Sequence, residues 1–286
     1  MTPQAFDLTM PLRRMTSVVF ASPHSGRHYP AEFLQASVLD ERTIRTSEDA
    51  FVDQLLDCVP DHGAPLLAAR APRAFIDLNR AADELDPALV EGVRAVAHNP
   101  RISSGLGVIP RVVSGGRAIY RGRIPLAEAE ARIASWWRPY HARLQRLLDE
   151  TRAEFGEAVL VDFHSMPHEA IDSLAANGSR KPDIVIGDRF GATAHPVVVD
   201  AIEAAFERAG LRVMRNAPFA GAFIAQTYGR PSRRQHAVQI EMDRSLYMNE
   251  AEIRPNGNYQ GFKRVLGQVL GEIAGIGRTS LPMAAE

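Results

Sequence analysis

Short apolar runs bounded by turn residues alternate along the chain with longer stretches whose apolar residues recur every three to four positions. The runs at 17–22 (SVVFAS), 64–69 (APLLAA), 74–79 (AFIDLN), 158–165 (AVLVDFHS), 183–188 (DIVIGD), 211–216 (LRVMRN) and 236–243 (HAVQIEMD) predict strands. Helical spacing predicts a helix from an N-cap at Ser47, with Glu48 and Asp49 in its first turn and Phe51, Leu55, Leu56 and Val59 inside. A long helix is expected over about 126–155, with Pro139 as a candidate bend, a third after Pro196 and a last one over about 258–274. Strands alternating with helices predict an α/β fold, a three-layer α/β/α arrangement on a mixed, mostly parallel sheet. No repeat, low-complexity stretch or long linker divides the chain, so one domain over 1–286 is expected. The segment 101–125 fits neither period. It is rich in glycine and carries Arg101, Arg111, Arg117, Arg121 and Arg123; a connection of that length is either a functional loop at the site or a disordered or solvated surface loop whose arginines pair with nearby Asp and Glu.

Composition narrows the chemistry. With 45% apolar residues and a formal net charge of -1, the chain can fill a core but has no basic field for nucleic acid or an anionic membrane, and neither partner is expected. Cys58 is the single cysteine, which excludes an internal disulfide and any zinc site of several thiolates; a metal would need imidazole and carboxylate ligands. No run of 18 apolar residues and no signal-like leader is present, so a cytoplasmic location is the expectation. Oligomeric state is not legible.

Two predicted strands end in His-Ser, at His24 (SPHSG) and at His164 (DFHSMPH). Each is either a turn after a buried strand or an imidazole held at the crevice where open α/β sheets place their sites. Two imidazoles and a carboxylate form a common catalytic zinc set. His168 would complete an H-x-x-x-H pair, but Pro167 disfavours the regular turn that would align it. In VQIEMDR, alternation puts Gln239, Glu241 and Asp243 on one face, directed either at solvent or at a site where a carboxylate could shuttle a proton. Asn79 and Arg80, at the end of FIDLNR, could bind a substrate carboxylate, or Arg80 could simply pair with Asp77 or Asp83; Arg73 could serve as an oxyanion donor. No G-x-S-x-G elbow supports a serine nucleophile, and Cys58 reads as core.

Taken in order over roughly residues 15–265, SPHSGRHYP, SEDAFVDQL, FIDLNR, GLGVIPRVV, DFHSMP, DRFG and QIEMDRSLYMNE resemble the N-formylglutamate amidohydrolase family, which looks distantly like zinc carboxypeptidases and aspartoacylase-type deacylases. The resemblance implies a zinc-exopeptidase-like fold, zinc on His24 and His164, and Glu241 as general base. It also implies that Asn79 and Arg80 hold a substrate α-carboxylate while Arg73 polarises the scissile carbonyl. Zinc carboxypeptidases place an acidic ligand three residues after the first histidine, whereas His24 is followed by Ser25, Gly26 and Arg27. The acidic ligand is therefore sought in SEDAFVD, where Asp49 matches the family's frame and Glu48 is its neighbour. The expected reaction is hydrolysis of N-formyl-L-glutamate, or a similar N-acyl acidic amino acid, to formate and L-glutamate. Another N-acyl amino acid or a peptide, or non-catalytic binding of such ligands, are the alternatives. The substrate's side-chain carboxylate is expected at Arg111 or Arg121 with Tyr120 close by, or at Tyr228 or Arg230.

Overall fold

The computed structural model describes residues 4–94, 99–178 and 181–278, so the expected domain over 1–286 extends past the described residues at both ends. Seven strands form one mixed sheet: β1 (Phe6–Thr9), β2 (Val18–Ser22), β3 (Leu66–Ala69), β4 (Ala158–Met166), β5 (Ile184–Gly187), β6 (Val213–Arg215) and β7 (Gln235–Asp243), in the order β1-β3-β2-β4-β7-β5-β6. β3, β2, β4 and β7 run parallel, whereas β1 is antiparallel to β3 and β5 antiparallel to β7. The edge strand β1 is not among the expected runs, because a four-residue FDLT with half its positions exposed carries too little apolar signal.

Alternation along the central strands sorts side chains between two layers. Val18 and Phe20 of β2, Val159, Val161 and Phe163 of β4, and Val238, Ile240 and Met242 of β7 pack beneath α1 (Val52–Leu55), α4 (Pro196–Arg208) and α6 (Tyr259–Ile276). Val19, Ala21, Leu160 and Ala237 face the other way, under α2 (Leu126–Arg132), α3 (Arg138–Phe155) and α5 (Phe223–Tyr228). The bend expected at Pro139 takes the form of a π-helical turn over Ile133–Trp137 joining α2 to α3. A proline near the start of α3 has no N–H to give the preceding turn, and the wider turn absorbs that loss. Among the described residues no helix is long and apolar enough to cross a membrane.

Two expected elements differ. AFIDLN is not a strand: residues 74–79 form a buried irregular loop across the strand ends. Its apolar side chains are core, with Ile76 and Leu78 fully buried, but its backbone groups are taken by distant partners instead of a ladder. Arg132 donates to the Phe75 carbonyl, His141 bonds the Leu78 carbonyl at 2.9 Å, Trp137 donates to that of Arg80 at 2.9 Å, and the Asp77 N–H donates to Val108 at 2.8 Å. Burial outweighs this bond at His141, whose pKa falls to about 4. The helix expected from Ser47 is also displaced. Arg45–Ser47 is a single 3₁₀ turn, Glu48 is extended, and α1 begins only after Phe51, at φ 68°.

Gly26 connects this architecture to the sheet ends. A Cβ there would lie 2.1 Å from the Ala71 carbonyl oxygen, inside any permitted contact. Gly26→Ala is expected to force apart the segments that carry His24 and Arg73, costing about 2 kcal/mol or more and lowering Tm by about 5 °C in calorimetry. An unchanged Tm would show that the two segments can separate freely.

Candidate active site

The site lies on the α2/α3 face, at the carboxyl ends of the parallel strands, where open α/β sheets leave a crevice. Parallel pairing sets Asp162 beside Gln239 and His164 beside Glu241, on one face of β4 and β7. His24 follows the end of β2, and Asp49 reaches the same point because its N–H donates to the His24 carbonyl at 3.0 Å. The three side chains are buried, and one ligand atom from each lies within 4.8 Å of the others. His164 Nδ1 is 3.1 Å from His24 Nδ1 and 3.1 Å from Asp49 Oδ2, with His24 Nδ1 3.5 Å from the same oxygen.

The opposite edges of both rings are fixed by carboxylates: His24 Nε2 to Asp77 Oδ1 at 2.7 Å and His164 Nε2 to Asp162 Oδ2 at 2.9 Å. Each Nε2 therefore carries the proton of a carboxylate hydrogen bond, and each Nδ1 faces Asp49. Two buried imidazole nitrogens and a carboxylate oxygen, each ring backed by a carboxylate, make a donor set that fits a zinc ion. Burial alone would raise Asp49, but hydrogen bonds from His164 and His24 hold its carboxyl well below the ordinary range. Burial would lower His164, but Asp162 and Asp49 hold it well above the usual histidine value.

Above the cluster is a cavity of about 580 Å³. His24, Arg73, Asn79, Arg80, His164 and Glu241 line it, together with Asp77, Arg101, Gln239 and Arg244. Glu241 is buried, and burial, partly offset by His164 and reinforced by the negative charge of Asp49, pushes its pKa up to about 7. Gln239 Nε2 donates to Glu241 Oε1 at 2.9 Å, while Gln239 Oε1 accepts from the Ala222 N–H at 3.0 Å. Arg73 donates from Nε to Asp77 Oδ2 at 3.0 Å. Asn79 is already engaged: its Oδ1 accepts from the Ile224 N–H at 2.7 Å and its Nδ2 faces Gln239 and His164.

Six expected site residues lie elsewhere. Extended backbone at Glu48 turns adjacent side chains apart, so Glu48 binds Arg45 at 3.0 Å and the Tyr29 hydroxyl at 2.5 Å instead of joining the histidines. Arg111 is drawn away by Asp86, with Nε to Oδ2 at 2.8 Å, and Arg121 is exposed; neither lines the cavity. Tyr120 is buried, its hydroxyl accepting from Arg132 at 2.7 Å. Tyr228 bonds His141 Nδ1 at 2.8 Å, and Arg230 caps α5 through the carbonyls of Gln226 and Gly229. His168 likewise serves elsewhere, 2.7 Å from Asp243. Residues without a prior assignment are Asp77, Asp162, Gln239 and Arg244. Asp162, two positions before His164 on one strand face, was within reach of alternation alone; Arg244, which holds Asp49 Oδ1 at 3.1 Å, was not.

Fold and site together define an α/β enzyme of the three-layer, mixed-sheet class whose histidine and carboxylate side chains converge at the strand ends. Residues 16–248 match the model of the N-formylglutamate amidohydrolase family. The N-formylglutamate deformylase of Pseudomonas aeruginosa is 32% identical over 243 residues, covering 83% of this chain and 84% of that protein. That of Pseudomonas putida is 31% identical over 242 residues, 82% and 83% of the two chains. The crystal structure of N-formylglutamate amidohydrolase from Ralstonia eutropha JMP134 superposes with a TM-score of 0.88 at 36% identity, over 95% of this chain and 98% of that one. A gene product of Agrobacterium tumefaciens, 19% identical with a TM-score of 0.66 over 96% of both chains, shares the fold. The chain belongs to the N-formylglutamate amidohydrolase family, and it is a hydrolase acting on a linear amide bond.

The donor set generates a metal-binding prediction. Calorimetric titration of zinc into chelator-treated protein should show about one site per chain, retained in Glu48→Gln and lost in Asp49→Asn. Because zinc takes an imidazole as a neutral ligand, protons and zinc compete for His24 and His164, so affinity should rise with pH. Equal binding by both variants would place the acidic ligand outside this cluster.

Proposed function

We propose that the protein is a zinc-dependent N-formyl-L-glutamate deformylase, releasing formate and L-glutamate. The observation that carries this reading is the buried His24–Asp49–His164 donor set beside a carboxylate, Glu241, in one cavity with several arginines. Zinc held by those three residues would supply Lewis acidity, activating a water molecule and polarising the formyl carbonyl.

Glu241 acts as general base and then general acid. Its Oε1 is held by Gln239, so Oε2 is the atom that takes a proton from the attacking water and returns it to the departing glutamate nitrogen. Its pKa near 7 keeps both transfers close to balanced at neutral pH. Arg73, anchored through Nε on Asp77, has its remaining donors to offer the oxyanion that develops on the formyl oxygen. Arg80 binds the substrate α-carboxylate. Asn79, with its own amide engaged, serves as the strut that fixes the loop carrying Arg80 against Ile224. The substrate is a small molecule, and the location we assign is the cytoplasm.

Formate release from N-formyl-L-glutamate tests this. Glu241→Gln should keep the fold by circular dichroism and keep zinc, yet lose about 100-fold or more in kcat. Only the carboxylate form of Glu241 can accept the proton, so wild-type kcat/KM should climb as pH rises through about 7. Turnover unchanged in the variant would remove Glu241 from the mechanism.

A further inference from the structure

Four arginines line the cavity: Arg73, Arg80, Arg101 and Arg244. Arg73 is paired with Asp77 at 3.0 Å and Arg244 with Asp49 at 3.1 Å. The other two have no carboxylate partner within 4.0 Å among the described residues. Arg80 is buried with Nε on the Leu106 carbonyl at 3.1 Å and Nη1 on that of Asn79 at 2.7 Å, and neither acceptor carries a charge. Arg101 is exposed to the cavity mouth, and no described residue bonds its guanidinium.

Backbone bonds tie the segments that carry these two arginines to each other. Leu106, whose carbonyl accepts from Arg80, donates its own N–H to the Arg101 carbonyl at 2.8 Å. Val108 accepts from the Asp77 N–H at 2.8 Å and donates to Glu84 at 2.8 Å, stitching the 101–113 segment to the loop that carries Arg80. A Cβ on Gly107 would lie 2.5 Å from the Glu84 carbonyl oxygen, so this seam is closed to any other residue. Burial, with Arg73 and Arg101 adding to it against Asp77, lowers the pKa of Arg80 from the ordinary guanidinium value. A wall carrying two guanidinium groups, neither in an ion pair within 4.0 Å among the described residues, is complementary to a ligand bearing two anionic groups.

We infer that Arg101 binds the side-chain carboxylate of the substrate while Arg80 takes the α-carboxylate, making the enzyme selective for N-formyl dicarboxylic amino acids. This assignment rests on the deformylase reading, which supplies the formyl group and the α-carboxylate. It moves the side-chain contact from Arg111 and Arg121, which lie off the cavity, to an arginine of the same segment on its wall.

The test compares N-formyl-L-glutamate with its neutral isostere N-formyl-L-glutamine. Wild type should favour the glutamate substrate. Arg101→Met should lower kcat/KM for N-formyl-L-glutamate by about 10- to 100-fold, chiefly through KM, and leave that for N-formyl-L-glutamine within about twofold. Arg101→Lys should recover part of the preference, and Arg121→Met, on the exposed surface, should change neither. Equal losses on both substrates, or an unaltered ratio, would overturn the role of Arg101 while leaving the deformylase reading intact. A wild-type enzyme that hydrolyses neither compound would overturn both.

Discussion

The arrangement depends on two hydrogen bonds, from His24 Nε2 to Asp77 and from His164 Nε2 to Asp162, at 2.7 and 2.9 Å. An imidazole has two nitrogens and can present either; a buried carboxylate on one decides which is left for chemistry. Here both rings are turned so that Nδ1 faces Asp49, and a point between three sequence-distant side chains becomes a cluster of donors. His24, His164 and Asp49 could not be buried this closely without partners, and Asp77, Asp162 and Arg244 supply one to each.

Asp77 links this centre to the substrate-facing loops. Its Oδ1 meets His24 and the Asn79 N–H, its Oδ2 meets Arg73, and its own N–H is tied to Val108. Burial would raise its pKa, but Arg73 and His24 hold it well below the ordinary range, so it remains a charged hub at any working pH. Displacing Asp77 would thus disturb the donor cluster, the oxyanion donor and the wall bearing Arg80 and Arg101 together. Coupling of this kind accounts for a loop, not a strand, at this position: ladder bonding would have consumed the backbone groups that hold the hub in place.

Much of this was legible in the sequence. The apolar runs located the central strands, alternation set Gln239 and Glu241 on one face, and helical spacing located the long helices. The failures share one cause. AFIDLN is as apolar as a strand, and its true state depends on Arg132, Trp137 and His141, residues more than 50 positions away. Glu48 and Asp49 could be separated only once Tyr29 and Arg45 were seen to claim the first and the histidines the second. Likewise, which arginine of the 101–125 segment faces the cavity turns on Asp86 capturing Arg111, a pairing that no local pattern encodes. Charge and periodicity identify candidates; tertiary partners choose among them.

The central claim is that the two Nδ1 atoms and Asp49 form a single metal centre. Anomalous diffraction at the zinc edge from crystals of zinc-loaded protein tests it most directly. The account predicts one strong peak per chain, flanked by Nδ1 of His24, Nδ1 of His164 and the Asp49 carboxylate, with both Nε2 atoms still on Asp77 and Asp162. A peak bound through either Nε2, or one sited away from these three residues, would contradict it.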